Sequence, residues 1–304
     1  MSRVGARLGG EDVWYGRLPR VASAPERRPL VGHDRPQPGA WSGRLVLRLD
    51  CLTPLHLGSG ALRLDAGLPV AAVARDGRGV PVVPGASLKG LLRFVVEAVT
   101  ASCDPLDRGR CDPGQGRLCP ACSLFGAVGH GGYRARVAVG ELRLVGEPSS
   151  ATEVLEVPAM YQPRKPAGER RYKVYRHGRE PVRGGERVEV VRAGACFRGP
   201  LWFEDVADPE LGLLAFALGL DGSFRPKLGG FRPAYLGSVA LAVEAQELRQ
   251  GGHPVAALDL AGAARRYAEA ATGPAREAIA ALRREWSWDP PRGRPWSPVV
   301  GRQR

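Results

Sequence analysis

Lysine is nearly missing from this chain: four lysines (Lys89, Lys165, Lys173 and Lys227) account for so little of the 44 basic residues that 44 − 4 = 40 are arginine. Acidic residues number 31, which leaves a formal net charge of +13 and a pI near 10.1. That excess points to a polyanionic partner, most often nucleic acid. Arginine excess beside abundant Ala, Gly and Pro is also what a GC-rich genome writes without selection for binding. Arginine nonetheless suits phosphate forks and base stacking whatever put it there. Long apolar runs are missing too. No segment approaches the ~20 apolar residues of a membrane span, and the first eight residues, Met-Ser-Arg-Val-Gly-Ala-Arg-Leu, lack the apolar core of a secretory signal. A cytoplasmic protein without membrane partners is therefore expected. A hydrophobic fraction of 44% excludes global disorder and supplies a core for one large domain or two small ones.

Cysteine is sparse but clustered. Cys103, Cys111, Cys119 and Cys122 fall within one segment, which in a cytosolic chain argues for metal rather than disulfides. Their spacing is C-x7-C-x7-C-x2-C. The terminal CxxC suits one side of a tetrahedral zinc site, and the looser pair folds back through a Gly/Pro loop to complete it. The alternatives are reduced thiols in a flexible loop, or a variant site in which His130 replaces one ligand. Four thiolates leave no open position, so such a zinc is structural. Cys51 and Cys196 sit in apolar, strand-like runs and read as core residues.

Residues 1–42 are Pro-, Gly- and Arg-rich without periodicity, and Pro19, Pro25, Pro29, Pro36 and Pro38 forbid a long helix. Trp14, Tyr15 and Trp41 suggest that this irregular arm docks, and a neighbouring subunit is the expected surface. From Gly43, Leu45, Leu47, Leu49 and Cys51 alternate with Arg44, Val46, Arg48 and Asp50, a half-buried strand. Residues 70–74 and 80–83 flank Asp76-Gly77-Arg78-Gly79, a plausible hairpin turn. Residues 86–101 read as a helix with Leu88, Leu91, Leu92, Val95, Val96 and Val99 on its apolar side. Ser87 lies in its first turn, where free N–H groups favour an anion, and Lys89 and Arg93 share one face four residues apart.

Further on, residues 136–145 alternate again. Residues 147–192 lack a core pattern, and 160–192 hold ten Lys/Arg against four Glu. Strands follow at 187–191 and 197–203, then a helix from Asp208-Pro209-Glu210 to Leu220, with Asp208 as its cap. A glycine-rich loop spans 222–237, a strand 239–247, an Ala-rich helical stretch 256–285 and a Pro/Arg-rich tail 286–304. The predicted fold is α+β: a ferredoxin-like, RRM-like βαββαβ core with large insertions. Its parts are an arm (1–42), a core domain (43–250) carrying a zinc loop (102–132) and a basic β-hairpin (147–192), and a C-terminal helix and basic tail (251–304). RNA-recognition modules use this fold, but fold alone proves no function.

Four ordered motifs resemble the RAMP superfamily of CRISPR-associated proteins, specifically the backbone subunits of type III, Csm- and Cmr-like, effector complexes. Leu52-Thr53-Pro54-Leu55-His56-Leu57-Gly58-Ser59-Gly60 is similar to the family's first strand and glycine turn. Val83-Pro84-Gly85-Ala86-Ser87-Leu88-Lys89-Gly90-Leu91-Leu92-Arg93 is similar to its PGSSLKGxLR signature. Residues 119–126, Cys-Pro-Ala-Cys-Ser-Leu-Phe-Gly, resemble its CPxCxLFG segment. Leu228-Gly229-Gly230-Phe231-Arg232-Pro233-Ala234-Tyr235-Leu236-Gly237-Ser238-Val239 resembles its C-terminal glycine loop.

The resemblance implies a guide-RNA-binding protomer that stacks with other effector subunits into a helical filament and leaves sequence recognition of target RNA to base pairing. It makes 147–192 the candidate thumb. There Met160, Tyr161 and Tyr172 would be wedge or stacking groups, with Arg164, Lys165, Arg170, Arg171 and Lys173 on phosphates. Ser87, Lys89, Arg93, Gly229, Gly230 and Arg232 would also meet the guide, and Tyr235 would stack on a base. Family members that cut target RNA use a loop Asp, with a divalent Mg or Mn ion neutralising charge. Here that loop reads Leu64-Asp65-Ala66-Gly67-Leu68-Pro69-Val70, and Gly67 stands where the Asp would align. Asp65, two positions early, is the candidate; His56 is a poorer one, and Asp76 belongs to a turn. A purely structural subunit, or a stand-alone endoribonuclease that processes CRISPR precursor RNA, are the alternatives. The latter wants a His or Tyr base near the glycine loop, and five scattered histidines offer no cluster.

Overall fold

The alternation from Gly43 onward places Leu45, Leu47, Leu49 and Cys51 against the core and leaves Arg44, Val46, Arg48 and Asp50 on the other face of one long strand. In the computed structural model, which describes residues 15–104, 110–159 and 172–288, that strand is the centre of the main sheet. The chain begins with β1 (Tyr15–Leu18), β2 (Arg28–Pro29), β3 (Trp41–Cys51), β4 (Gly58–Asp65), β5 (Leu68–Val73), β6 (Val82–Val83) and α1 (Gly85–Val99). Next come β7 (Arg117–Leu118), α2 (Pro120–Phe125), β8 (Val137–Val139), β9 (Leu142–Val145), β10 (Thr152–Val157), β11 (Tyr172–Tyr175) and β12 (Glu186–Val191). It closes with β13 (Cys196–Val206), α3 (Asp208–Ala217), β14 (Val239–Gln250), β15 (His253–Val255), α4 (Leu260–Ala270) and α5 (Gly273–Glu285).

The main sheet runs β15-β14-β3-β13-β9-β6, with β8 also on β13, and every pairing is antiparallel. Helices α1 and α3 follow β3 and β13 in sequence and pack together, with α4 and α5 beside them. Their apolar positions join the β3 leucines in one core that also encloses Phe197, Phe203, Phe216 and Phe224. Each such phenylalanine contributes about 1.5–3 kcal/mol through burial. Gly85 opens α1 because no side chain fits: a Cβ there would lie 2.1 Å from the Val139 carbonyl oxygen.

Several boundaries differ from the sequence reading. The cap of α3 is Ala207, whose N–H donates to Glu210 Oε2 at 2.9 Å; Asp208 sits one residue inside and accepts from the Trp41 indole. The Ala-rich stretch 256–285 is two helices, broken where Gly273 takes a φ of +50°. The run 136–145 is two short strands interrupted at Gly140, which packs under Pro200 and Trp202.

A second sheet, β10-β12-β5-β4, is built from the basic insertion and the β4–β5 hairpin. Strands β10 and β12 pair antiparallel from Thr152↔Val191 to Val157↔Glu186, while β12 joins β5 in parallel at Val188↔Ala71. Within the segment 147–192, β10 and β12 pair as one half of a four-stranded sheet, and β11 between them pairs with β1 instead. From Tyr15 onward the arm expected over 1–42 lies on its own chain. There β1 pairs with β11, β2 pairs with β7, and Glu26 N–H donates to the Ala101 carbonyl.

Candidate metal centre and nucleic-acid interface

Cys119 caps α2 and Cys122 follows one turn later, so the CxxC presents both sulfurs from a helix start. Cys103 lies just beyond α1 and Cys111 just before the turn at Pro113. All four thiols are buried, with Sγ atoms within 4.8 Å of one another. Cys103 and Cys122 stand 3.5 Å apart at sulfur, and Cys103 and Cys119 3.7 Å. A tetrahedral zinc with Zn–S of about 2.3 Å requires sulfurs about 3.8 Å apart, so the donor set fits the ion. Backbone N–H groups support it: Cys103 N donates to Cys119 Sγ at 3.4 Å and Cys119 N to Cys111 Sγ at 3.2 Å. Mutual thiol hydrogen bonding pushes Cys119 and Cys111 below the usual thiol range and Cys103 and Cys122 above it. The cluster is thus of a kind that could hold a metal ion such as zinc. His130 is not among the converging ligands; its ring is exposed and bonds to Asp112 at 2.9 Å. Cys51 is buried as expected, whereas Cys196 is only half-buried.

The two bases of α1 part company. Arg93 donates to Cys122 Sγ (3.4 Å), the Gly126 carbonyl (2.9 Å) and Glu97 Oε1 (2.7 Å). Its guanidinium is thus an outer partner of the thiol cluster. Such partners orient metal ligands and offset thiolate charge. Lys89 remains half-buried, its pKa lowered by burial and by Arg93. Ser87 N–H donates to the Pro84 carbonyl, and the helix start carries no side-chain cap.

The glycine loop closes over residues 54–56. Gly237 (φ +81°) donates to the Pro54 carbonyl and Gly230 to the His56 carbonyl; a Cβ on Gly229 would lie 2.3 Å from that His56 oxygen. Phe231 and Tyr235 both adopt positive φ, and the Tyr235 ring packs against Gly178. Lys227 is the strut that sequence reasoning missed. Nearly fully buried, it donates to the carbonyls of Arg176 (3.0 Å) and Arg232 (3.3 Å), and burial lowers its pKa to about 7. Beside it His177 uses both ring nitrogens: Nδ1 accepts from Ser238 and Nε2 donates to the Arg225 carbonyl. Burial, then the Lys227 charge, depresses its pKa to about 3. The signal available was compositional, a lysine beside the glycine loop in a chain with only four lysines. His56 is buried, with Nδ1 donating to the Glu189 carbonyl at 2.7 Å.

Asp65 ends β4, and the turn Ala66-Gly67 (φ +51° and +78°) makes a tight hairpin where a loop was expected. Its carboxylate meets Arg187 Nη2 at 2.6 Å and Arg63 Nη1 at 3.6 Å. Asp76 belongs to its turn, held below the usual carboxylate range by the N–H groups of Val80 and Arg78. Lys173 lies on β11 beside β1. Tyr172 turns the other way, edge-on to Phe94 at 5.7 Å, and is a packing residue rather than a free stacking group. Met160, Tyr161, Arg164, Lys165, Arg170 and Arg171 lie outside the described residues.

Against known families, the RAMP superfamily model matches residues 48–238, well over half of the 304. The chain belongs to the RAMP superfamily. Proteins of this family are CRISPR-associated and typically bind RNA and effector partners. A search of curated proteins found no match. No helix of the described residues is long and apolar enough to cross a membrane.

Proposed function

We propose that this chain is a guide-RNA-binding backbone subunit of a type III CRISPR effector that targets RNA, working in a filament with sister subunits. The carrying observation is the meeting of family motifs on one frame. The order β14-β3-β13-β9, with α1 and α3 as crossovers, matches a ferredoxin-like βαββαβ core, and the glycine loop folds back onto the strand end that precedes β4. Sequence selection is then left to guide–target pairing, and the protein grips backbone and shape. The cysteine centre holds a structural zinc that fixes the segment following α1.

One observation favours a scaffold over a cutting subunit. Both carboxylate oxygens of Asp65 face guanidinium groups, which compete directly with a Mg or Mn ion for the same charge. A stand-alone precursor-processing nuclease is disfavoured because the histidines by the glycine loop, His56 and His177, are buried and bonded to backbone. The test is target-RNA cutting by the reconstituted complex with Mg or Mn, wild type against Asp65→Ala. Guide and target binding with cutting unchanged by the substitution is the expected result. Regularly spaced cuts that vanish in the variant would make Asp65 catalytic and sink the scaffold reading. Processing of precursor RNA by the isolated monomer would overturn both.

A further inference from the structure

The N-terminal arm is fastened to the same segment that the cysteines close. Strand β2 pairs antiparallel with β7, Arg28 opposite Leu118, and Leu30 N–H donates to the Gly116 carbonyl at 3.0 Å. Arg117 Nη2 donates to the Arg27 carbonyl at 2.7 Å, and Glu26 N–H to the Ala101 carbonyl at 2.8 Å. Farther along, the Tyr133 hydroxyl donates to the Val31 carbonyl at 2.8 Å. The His33 ring lies 5.0 Å from the Tyr133 ring, and its Nε2 donates to the Arg134 carbonyl at 3.1 Å. Each of these contacts from residues 26–33 lands within 101–134, the stretch that holds all four clustered cysteines.

That landing site has little backbone structure of its own. Between α1 and Cys119 the described residues form one 3-10 turn, Pro113–Gln115, and the two-residue β7. Pieces this short do not hold their place without packing or cross-links. Strand β7 sits between two of the thiols: Leu118 directly precedes Cys119, whose N–H donates to Cys111 Sγ at 3.2 Å. The arm, for its part, bridges a void. A cavity of about 450 Å³ lies beside it, walled by Val21, Pro29 and Val31 of the arm, by Val99 of α1, and by Leu118 and Leu213. Contacts missing on that side leave the arm dependent on its bonds to the thiol segment.

We infer that the thiol centre is a latch for the arm: a cation held by Cys103, Cys111, Cys119 and Cys122 keeps β7 where β2 can pair with it, and loss of the cation releases residues 26–33 and opens the cavity. This rests on the metal reading of the cysteines and adds a conformational consequence to it. Coupling of this kind is reciprocal, so an arm that cannot dock weakens the hold on the cation by the same factor.

The test is hydrogen exchange of the full chain in reductant, zinc-loaded against chelated, read by mass spectrometry. Peptides covering 26–33 are expected to exchange at least about fivefold faster without zinc, while peptides of β3 keep their protection. An arm equally protected in both states overturns the latch. Where chelation strips β3 as well, the reciprocal measurement decides: equilibrium competition for zinc with a chromogenic chelator, wild type against Leu30→Ala/His33→Ala. That variant removes an apolar contact and the ring on Tyr133 but leaves every cysteine in place. It should bind zinc at least about fivefold more weakly, whereas Val188→Ala, a core change in the second sheet, should bind as wild type. Unchanged affinity in the arm variant, or equal weakening in both variants, overturns the latch and leaves the metal reading standing. A folded chain that takes up no zinc sinks both.

Discussion

Two glycine- and proline-rich segments of this chain solve one problem with opposite resources. The described residues of 103–122 and residues 227–238 both pack against buried apolar clusters, and each offers a place for a positive charge. The first offers four buried thiols whose spacing suits an imported tetrahedral cation. The second carries its own, the Lys227 ammonium, which draws in the carbonyls of Arg176 and Arg232 while His177 bonds on both sides. An imported cation can be removed from outside; a covalent one yields only to pH or mutation.

The largest effect should come from the imported cation. Cys119→Ser, or a strong chelator, should release about one zinc per chain and cost about 5 kcal/mol or more, a fall in Tm of over ~10 °C. Metal analysis and calorimetry check this, and a chelated protein with an unaltered melt would mean that the thiols fold without metal. The carried cation and its neighbour should answer to pH. His177 is neutral in the fold, its pKa depressed to about 3 by burial and then by Lys227, whereas the unfolded value is about 6.5. The unfolded chain therefore takes up the proton first. Stability present above pH ~6.5 is lost as pH falls toward about 3, by up to several kcal/mol at about 1.4 kcal/mol per pKa unit. Acid melts should show this limb, and it should flatten in His177→Phe; metal content read in the same samples separates it from loss of zinc. The smallest effect belongs to His130→Ala. An exposed ring bonded, among the described residues, to Asp112 alone should leave zinc content unchanged and shift stability by less than ~0.5 kcal/mol.

What the sequence revealed was local. The alternation of β3, the periodicity of α1 and the cysteine spacing each lie within a short window, and each appears in the structure near where it was read. What escaped depends on remote neighbours. The bond from Arg93 to Cys122, 29 residues on, leaves no trace in a short window. Tyr15 and Tyr175 meet only because the arm pairs with the insertion. The Asp65 turn escaped for another reason: Ala66 takes a positive φ without the Asn or Asp that usually signals such a hairpin. Lys227 escaped because its only mark, a lysine in a chain that otherwise uses arginine, is compositional and forms no periodic pattern.

The bond from Arg93 to Cys122 also bears on how such proteins change over generations. A helix signature and a cysteine motif that look separate in the linear chain share one guanidinium, so neither drifts alone. A lineage that discards the thiol pair strands a half-buried arginine over Glu97 and the Gly126 carbonyl, and a lineage that replaces the arginine leaves the thiolates without their outer donor. Descendants should therefore lose or keep the pair together, which makes a missing arginine at this helix position a marker of a relative that has given up the thiol cluster.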